Sequence, residues 1–358
     1  MKPVRVLIVD DSATMRGLIS LALRKDPGIE VVGTAGDPMK ARDAIKAQNP
    51  DVITLDVEMP GMNGLEFLEK IVRLRPTPVI MVSNLTGKGT EAAIEAMQIG
   101  AVGCIAKPGL GDAHPFAELP SIVKAAAGAR VRPRPALKAE APEPATGKRR
   151  PMTATYEPDG RLVAIGSSTG GVEALTQLIG QLPENCPPTL IVQHMPPDFT
   201  ASLATRLDRL NAPKVMEAAD RAPIEPGCVY IAPGGRTHLY VENKGRLQCR
   251  VKPGDPVNGH APSADVLFAS VAGAVQANAI GVILTGMGRD GADGLLKMRQ
   301  AGAQTIGQDE ASSLIYGMPR VAFEVGAVER QLPLDRIAST ILTMTNLSGR
   351  PAGEKTCH

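Results

Sequence analysis

Arg161-Leu-Val-Ala-Ile-Gly-Ser-Ser-Thr-Gly-Gly-Val-Glu-Ala-Leu175 is the stretch on which the reading of this chain turns. Leu162 to Ile165 is a short apolar run, β-branched at Val163 and Ile165, the pattern of a buried parallel strand. Gly166, Ser168 and Gly170 then spell G-x-S-x-G, and Val172, Leu175, Leu178 and Ile179 recur at helical spacing. A strand, a Gly-framed turn and a helix form the setting in which a serine hydroxyl stands at the end of a sheet, open to a carbonyl. The same residues suit a plain βα turn whose serines cap the helix, so partner residues must decide.

Those partners follow other strand-like runs. Pro188–Gln193 leads into His194-Met-Pro-Pro197, and Ala279–Thr285 leads into Gly286-Met287-Gly288-Arg289-Asp290. Further strands are expected at Cys228–Ala232, His238–Glu242 and Ala303–Gly307, with a helix at Ala292–Gln300, which reads as a doubly wound parallel sheet. Ser168, His194 and Asp290 would then share the carboxyl rim of one sheet. A serine hydroxyl is a weak nucleophile at neutral pH and needs a base, and the base needs a carboxylate to fix its tautomer. His194 can be that base, Asp290 the orienting acid, and the Met287 N–H an oxyanion donor. Rivals exist: Ser167 adjoins Ser168, His238 and His260 are spare histidines, and Asp220 and Asp265 are spare carboxylates. The order Ser168…Asp220…His238 matches an α/β-hydrolase, but His238 would begin a strand and so face the opposite rim. No zinc-ligand spacing and no G-x-G-x-x-G is present.

Upstream, strands at Val4–Val9, Glu30–Thr34, Asp51–Leu55, Pro78–Ser83 and Cys104–Ala106 alternate with helices at Ser12–Lys25, Pro38–Gln48, Gly64–Leu74 and Thr90–Ile99. This alternation implies an open parallel sheet with its ligand site at the carboxyl ends of the strands. Asp10 and Asp11 follow the first strand, Asp56 the third, Ser83 ends the fourth and Lys107 follows the fifth. Three carboxylates in one crevice repel unless a hard cation such as Mg²⁺ sits among them. A lysine and a hydroxyl opposite suit the oxygens of a phosphorylated aspartate.

Prolines and basic residues then interrupt every period, giving the expected division: a first domain at 1–125, a flexible Pro/basic linker at 126–157, a second domain at 158–348 and a disordered tail at 349–358. Aromatics are 3% of the 358 residues and Trp is absent, so the cores must be aliphatic. Five unpaired-looking cysteines point to a reduced, cytoplasmic setting. A net charge of +2 argues against a nucleic-acid partner. No signal sequence and no ~18-residue apolar run is seen, so no membrane insertion is expected.

Residues 3–125 resemble the receiver domain of bacterial response regulators, a flavodoxin-like fold. The resemblance implies that Asp56 is the phospho-acceptor, that Asp10, Asp11 and the Asp56 site hold Mg²⁺, and that Ser83 and Lys107 grip the phosphoryl group. Glu58-Met-Pro-Gly-Met-Asn-Gly64 looks like that family's loop. Cys104 stands where many receivers carry a switching aromatic. Ile165-Gly-Ser-Ser-Thr-Gly-Gly171, Gln193-His-Met-Pro196, Leu284-Thr-Gly-Met-Gly-Arg-Asp-Gly291 and Tyr316-Gly-Met-Pro-Arg320 resemble the CheB-type chemotaxis methylesterase domain. That family usually has Ala where Ser167 stands. The resemblance implies a cofactor-free serine hydrolase acting on glutamyl methyl esters and certain glutamines of methyl-accepting chemotaxis receptors, with a chemotaxis histidine kinase as phosphodonor. Ser168, His194 and Asp290 would be catalytic, with Thr169 and Met287 lining the site, and the receiver would cover the rim until phosphorylated. Two other readings are a response regulator with a DNA-binding output, which lacks a basic helix-turn-helix here, and a plain α/β hydrolase of small esters, which leaves the receiver unexplained.

Overall fold

A computed structural model describes residues 2–59, 63–84, 87–109, 115–131 and 156–347. The linker core, the tail and part of the Glu58–Gly64 loop lie outside these described residues.

The first half alternates β1 (Val4–Val9), α1 (Ala13–Arg24), β2 (Ile29–Ala35), α2 (Pro38–Gln48), β3 (Val52–Asp56), α3 (Gly64–Leu74), β4 (Val79–Ser83), α4 (Gly87–Ile99), β5 (Gly103–Ala106) and α5 (Leu119–Ala127). Its parallel sheet has the order β2-β1-β3-β4-β5. The chain leaves β1 and β3 in opposite directions, so a crevice opens beyond their carboxyl ends, where Asp10, Asp11 and Asp56 lie. Ser12 and Asp37 cap α1 and α2 by accepting from Met15 N and Lys40 N. Two boundaries in this half differ from expectation by more than one residue. α4 begins at Gly87 rather than Thr90, because Gly87 and Gly89 mask its first turn by propensity. α5 runs past residue 125 to Ala127, since nothing in Ala125–Ala127 stops a helix before Gly128.

The second half contains β6 (Leu162–Ser167), α6 (Gly171–Ile179), β7 (Thr189–Gln193), α7 (Phe199–Leu210), β8 (Lys214–Glu217), β9 (Cys228–Ile231), β10 (Thr237–Asn243), β11 (Leu247–Pro253), α8 (Ala264–Val275), β12 (Ala279–Ile283), α9 (Ala292–Gln300), β13 (Gln304–Gln308), α10 (Met318–Glu324), β14 (Arg330–Leu332) and α11 (Leu334–Met344). Seven strands make a parallel sheet in the order β14-β13-β12-β6-β7-β9-β8. β6 is buried along its whole length, as its uninterrupted apolar sequence requires. After β6 the chain winds outward through β7, and after β12 it winds the other way through β13. The crevice between β6 and β12 is therefore the switch point of this sheet.

The His238 strand does not join that sheet. β10 pairs antiparallel with β11 in a separate ribbon, with Thr237 opposite Pro253 and Asn243 opposite Leu247. The ribbon packs on α8, where Val241 N donates to Ser270 Oγ at 2.9 Å. The alternation Leu247, Cys249, Val251 after the Lys244-Gly245 turn carried this hairpin signal.

The halves touch through α4, which lies against α6 and α7. Ile94 is fully buried in the same apolar cluster as Val172, Leu175 and Leu203. Gln98 ties both helices: its Nε2 donates to Thr176 Oγ1 at 3.2 Å and its Oε1 accepts from Arg206 Nε at 2.7 Å. After α5, Arg130 N donates to Leu314 O at 3.0 Å.

Candidate active site

Ser168 follows β6, His194 follows β7 and Asp290 lies seven residues beyond β12, so the fold delivers all three to one rim. His194 Nε2 meets Asp290 Oδ2 at 2.8 Å, with both side chains withdrawn from solvent. Asp290 accepts three further hydrogen bonds: from Ser263 Oγ (2.6 Å), Ala264 N (2.7 Å) and Asp265 N (3.4 Å). Burial alone would raise the Asp290 carboxyl. The hydrogen bond and charge of His194, with Ser263 and Ala264, outweigh it and hold the group below the usual carboxylate range. An ionised Asp290 makes His194 Nε2 the protonated nitrogen. Nδ1 is left as the basic one, buried and without a hydrogen-bond partner among the described residues.

The strand ends are locked together beneath this pair. His194 N donates to Ser167 O at 3.0 Å. Gln193 Nε2 donates to both Ser168 O (2.9 Å) and His194 O (3.0 Å), while Gln193 Oε1 accepts from Ser167 Oγ at 2.7 Å. One buried amide thus ties the backbones of Ser168 and His194 together, and Ser167 serves as its brace. A Cβ on Gly171 would fall 2.0 Å from Gln193 Oε1, so only glycine admits the amide. Likewise a Cβ on Gly286 would meet Ser168 Cβ at 2.8 Å, which sets the turn after β12 directly against the serine. In that turn Gly286 N donates to Ile315 O. Met287 N has no hydrogen-bond partner among the described residues and remains available to an oxyanion. No hydrogen bond joins Ser168 Oγ to His194 Nδ1; such contacts commonly close only around substrate.

In the first half, Asp10, Asp11 and Asp56 bring carboxylate oxygens within 4.8 Å of one another. Lys107 Nζ lies 2.8 Å from Asp56 Oδ2 and 3.4 Å from Asp10 Oδ2. Burial raises both the Asp10 and Asp56 carboxyls, more than Lys107 lowers them. Asp10 Oδ2 is buried and, beyond its ion pair with Lys107, has no hydrogen-bond partner among the described residues, a donor oxygen that fits a hard cation. Ser83 Oγ donates to Gly89 O in the first turn of α4 at 2.9 Å, so it is tied to that helix rather than to the acids. Cys104 packs on the aliphatic core as a small filler.

The sequence pattern of the CheB methylesterase family matches residues 163–341, and that of the response regulator receiver domain matches residues 6–113. Two relatives, both called protein-glutamate methylesterase/protein-glutamine glutaminase, are 59% identical in Caulobacter vibrioides and 58% identical in Agrobacterium fabrum. The alignments cover 97% and 95% of this chain and 99% and 96% of theirs. The crystal structure of the Thermotoga maritima CheB methylesterase catalytic domain is 38% identical, with a TM-score of 0.50, covering 52% of this chain and 98% of that one.

The chain belongs to the CheB methylesterase family.

Within this CheB fold the rival residues have other work. Asp220 is committed to Arg250 at 2.9 Å and accepts from Val251 N at 3.0 Å. Asp265 accepts from Asn258 Nδ2 and from Gly294 N, tying α8 to α9. His238 does not face the opposite rim, because its strand belongs to the separate ribbon. Its Nδ1 accepts from Ser263 N at 3.1 Å, and its Nε2 donates to Asp255 O at 2.9 Å. It therefore supports the Asp290 brace from behind. Ser263 is the functional residue that sequence reasoning missed. Its helix-cap role was readable, but its reach to Asp290 across 27 residues was not.

The buried acid cluster of the CheB receiver has a testable cost. Asp10 has a raised folded-state pKa, so its ionised form opposes folding at neutral pH and ceases to do so where it is protonated. Asp10→Asn is expected to raise the receiver's melting temperature at pH 7 without Mg²⁺ by on the order of 5 °C. Differential scanning calorimetry should show the gain vanish below about pH 4, where the unfolded-state carboxyl is protonated too.

Proposed function

We propose that this chain is a phosphorylation-activated serine hydrolase that removes methyl esters from glutamate side chains of chemoreceptors and deamidates receptor glutamines. The observation that carries the reading is the His194–Asp290 pair at the β6/β12 crevice, which leaves Nδ1 of His194 as the ring nitrogen without a hydrogen-bond partner among the described residues.

In this mechanism Ser168 Oγ attacks the ester carbonyl as His194 Nδ1 takes its proton. The imidazolium keeps its Nε2–H on Asp290. Met287 N–H receives the carbonyl oxygen as it becomes an oxyanion, and the Thr169 and Met287 side chains border the acyl group. Collapse breaks the bond to methoxide, which leaves as methanol with the proton from His194. Water, deprotonated by His194, then releases the glutamate and restores Ser168. With a glutamine the leaving group is ammonia. The esterase steps call on no cofactor.

Regulation would come from the receiver, which runs through α5 to Ala127 and precedes a linker and an esterase domain starting near residue 158. Asp56 would accept a phosphoryl group from a chemotaxis histidine kinase. Asp10, Asp11 and Asp56 would hold Mg²⁺, which neutralises the phosphoryl oxygens, and Lys107 would bind one of them. Ser83 would exchange Gly89 O for a phosphoryl oxygen. That exchange would free the first turn of a helix packed on α6 and α7, the helices that follow Ser168 and His194. The expected setting is the cytoplasm; among the described residues no helix is long and apolar enough to cross a membrane.

Methanol release from methylated receptor membranes tests the reading. A small phosphodonor should stimulate the wild type and leave Asp56→Asn at its basal rate; equal stimulation of both would move the acceptor elsewhere. The fragment 152–358 should show a basal rate about tenfold above the whole chain, the effect of a docking preference near 1.4 kcal/mol. Equal rates would remove autoinhibition.

A further inference from the structure

We infer that His260 is a positioning residue for the base: the face of its imidazole fixes the plane in which His194 presents Nδ1 to Ser168. This rests on the reading of His194 as the base.

The two rings are stacked, with centroids 3.8 Å apart and planes 10° from parallel. Among the described residues the His194 side chain makes one hydrogen bond, the 2.8 Å contact of Nε2 with Asp290. A ring held at one atom can swing about that bond, and each swing redirects Nδ1. A flat neighbour across its face removes that freedom. His260 is suited to the task because its own backbone is pinned, with Val257 N and His260 N each donating to the other's carbonyl at 3.0 Å. Three residues on, Ser263 and Ala264 grip Asp290. One short segment, 260–264, therefore touches both the base and its orienting acid. Ser263 is in turn held from behind by His238.

The charge state agrees with this placement. Burial, with His194 alongside, pulls His260 down to about 4, so it is neutral when the enzyme works. A neutral ring does not repel the imidazolium that His194 becomes.

The experiment compares His260→Leu with His260→Phe in the full chain, measuring kcat and KM for ester hydrolysis. Leu fills the space without a flat face; Phe restores the face without a titrating group. Misplacing a catalytic group by about 1 Å costs up to ~10²-fold, so His260→Leu is expected to lose about 10- to 100-fold in kcat with KM within about twofold. His260→Phe should stay within about threefold of wild type in kcat. Wild-type kcat in the Leu variant, an equal loss in Phe and Leu, or a loss carried by KM would overturn the assignment. Should His260→Leu fail to fold by circular dichroism, His260→Gln, which also lacks an aromatic face, takes its place with the same expectations. His194→Ala in parallel keeps the two readings apart. Activity surviving there rejects the base itself, whereas its loss beside an unaffected His260→Leu rejects the positioning role alone.

Discussion

Ser168→Ala is expected to lower kcat for methyl-ester hydrolysis by on the order of 10⁴-fold or more, with KM little changed. In the proposed mechanism the hydroxyl oxygen is the atom that forms the acyl bond. Ser167 is the obvious substitute by sequence, but it is fully buried and its Oγ is committed to Gln193 Oε1 at 2.7 Å. A residual rate would come from the oxyanion donor and binding alone. Methanol release from methylated receptor membranes measures the loss, and circular dichroism should be unchanged, because no stabilising hydrogen bond is removed from the fold. Activity near wild type in Ser168→Ala would displace the nucleophile. An equal loss in Ser167→Ala would instead point to the Gln193 brace, since removing the Ser167 hydroxyl frees the amide that ties Ser168 to His194.

Asp290→Asn is expected to cost about 10⁴-fold in kcat through the wrong tautomer of His194. Asn offers one oxygen and one NH₂ group where the carboxylate offers two acceptors. The group at Asp290 accepts from Ser263, Ala264, Asp265 and His194 together, so the amide must present a donor to one of them. The substitution should therefore lower stability as well as rate. The pH dependence follows from the sign of the shift. The folded-state pKa of Asp290 is depressed, so its contribution to stability is complete above the unfolded value and is lost as pH falls through the folded one, between about pH 4 and pH 2. Thermal melts of wild type and Asp290→Asn should converge across that window. A constant difference down to pH 2 would mean that the carboxylate charge does not matter to the fold.

Both effects depend on a site whose members were legible in the chain to different degrees. The placement of Ser168, His194 and Asp290 on one rim could be read because each follows an apolar, β-branched run, and a parallel sheet brings the ends of such runs together. Asp10, Asp11, Asp56 and Lys107 were found by the same rule, and the structure gathers them. Ser83 was placed correctly at a strand end, but its hydroxyl turns to Gly89 O, a contact that no period or motif announces. His238 shows where the rule misleads. A strand in sequence does not say which sheet it joins, and β10 pairs with β11 in a ribbon behind Ser263 instead of entering the parallel sheet.

Period-2 and period-3.6 patterns, with glycines at the turns, were enough to specify two parallel α/β units and the strand ends that carry chemistry, because these signals are local. The pairing of Asp290 with Ser263, the Gln193 amide spanning two strand ends, and the stacking of His260 on His194 were decided in three dimensions. Each joins groups far apart in the chain, and such contacts depend on how elements pack and on which buried polar atoms must find partners. Sequence spacing holds no record of that.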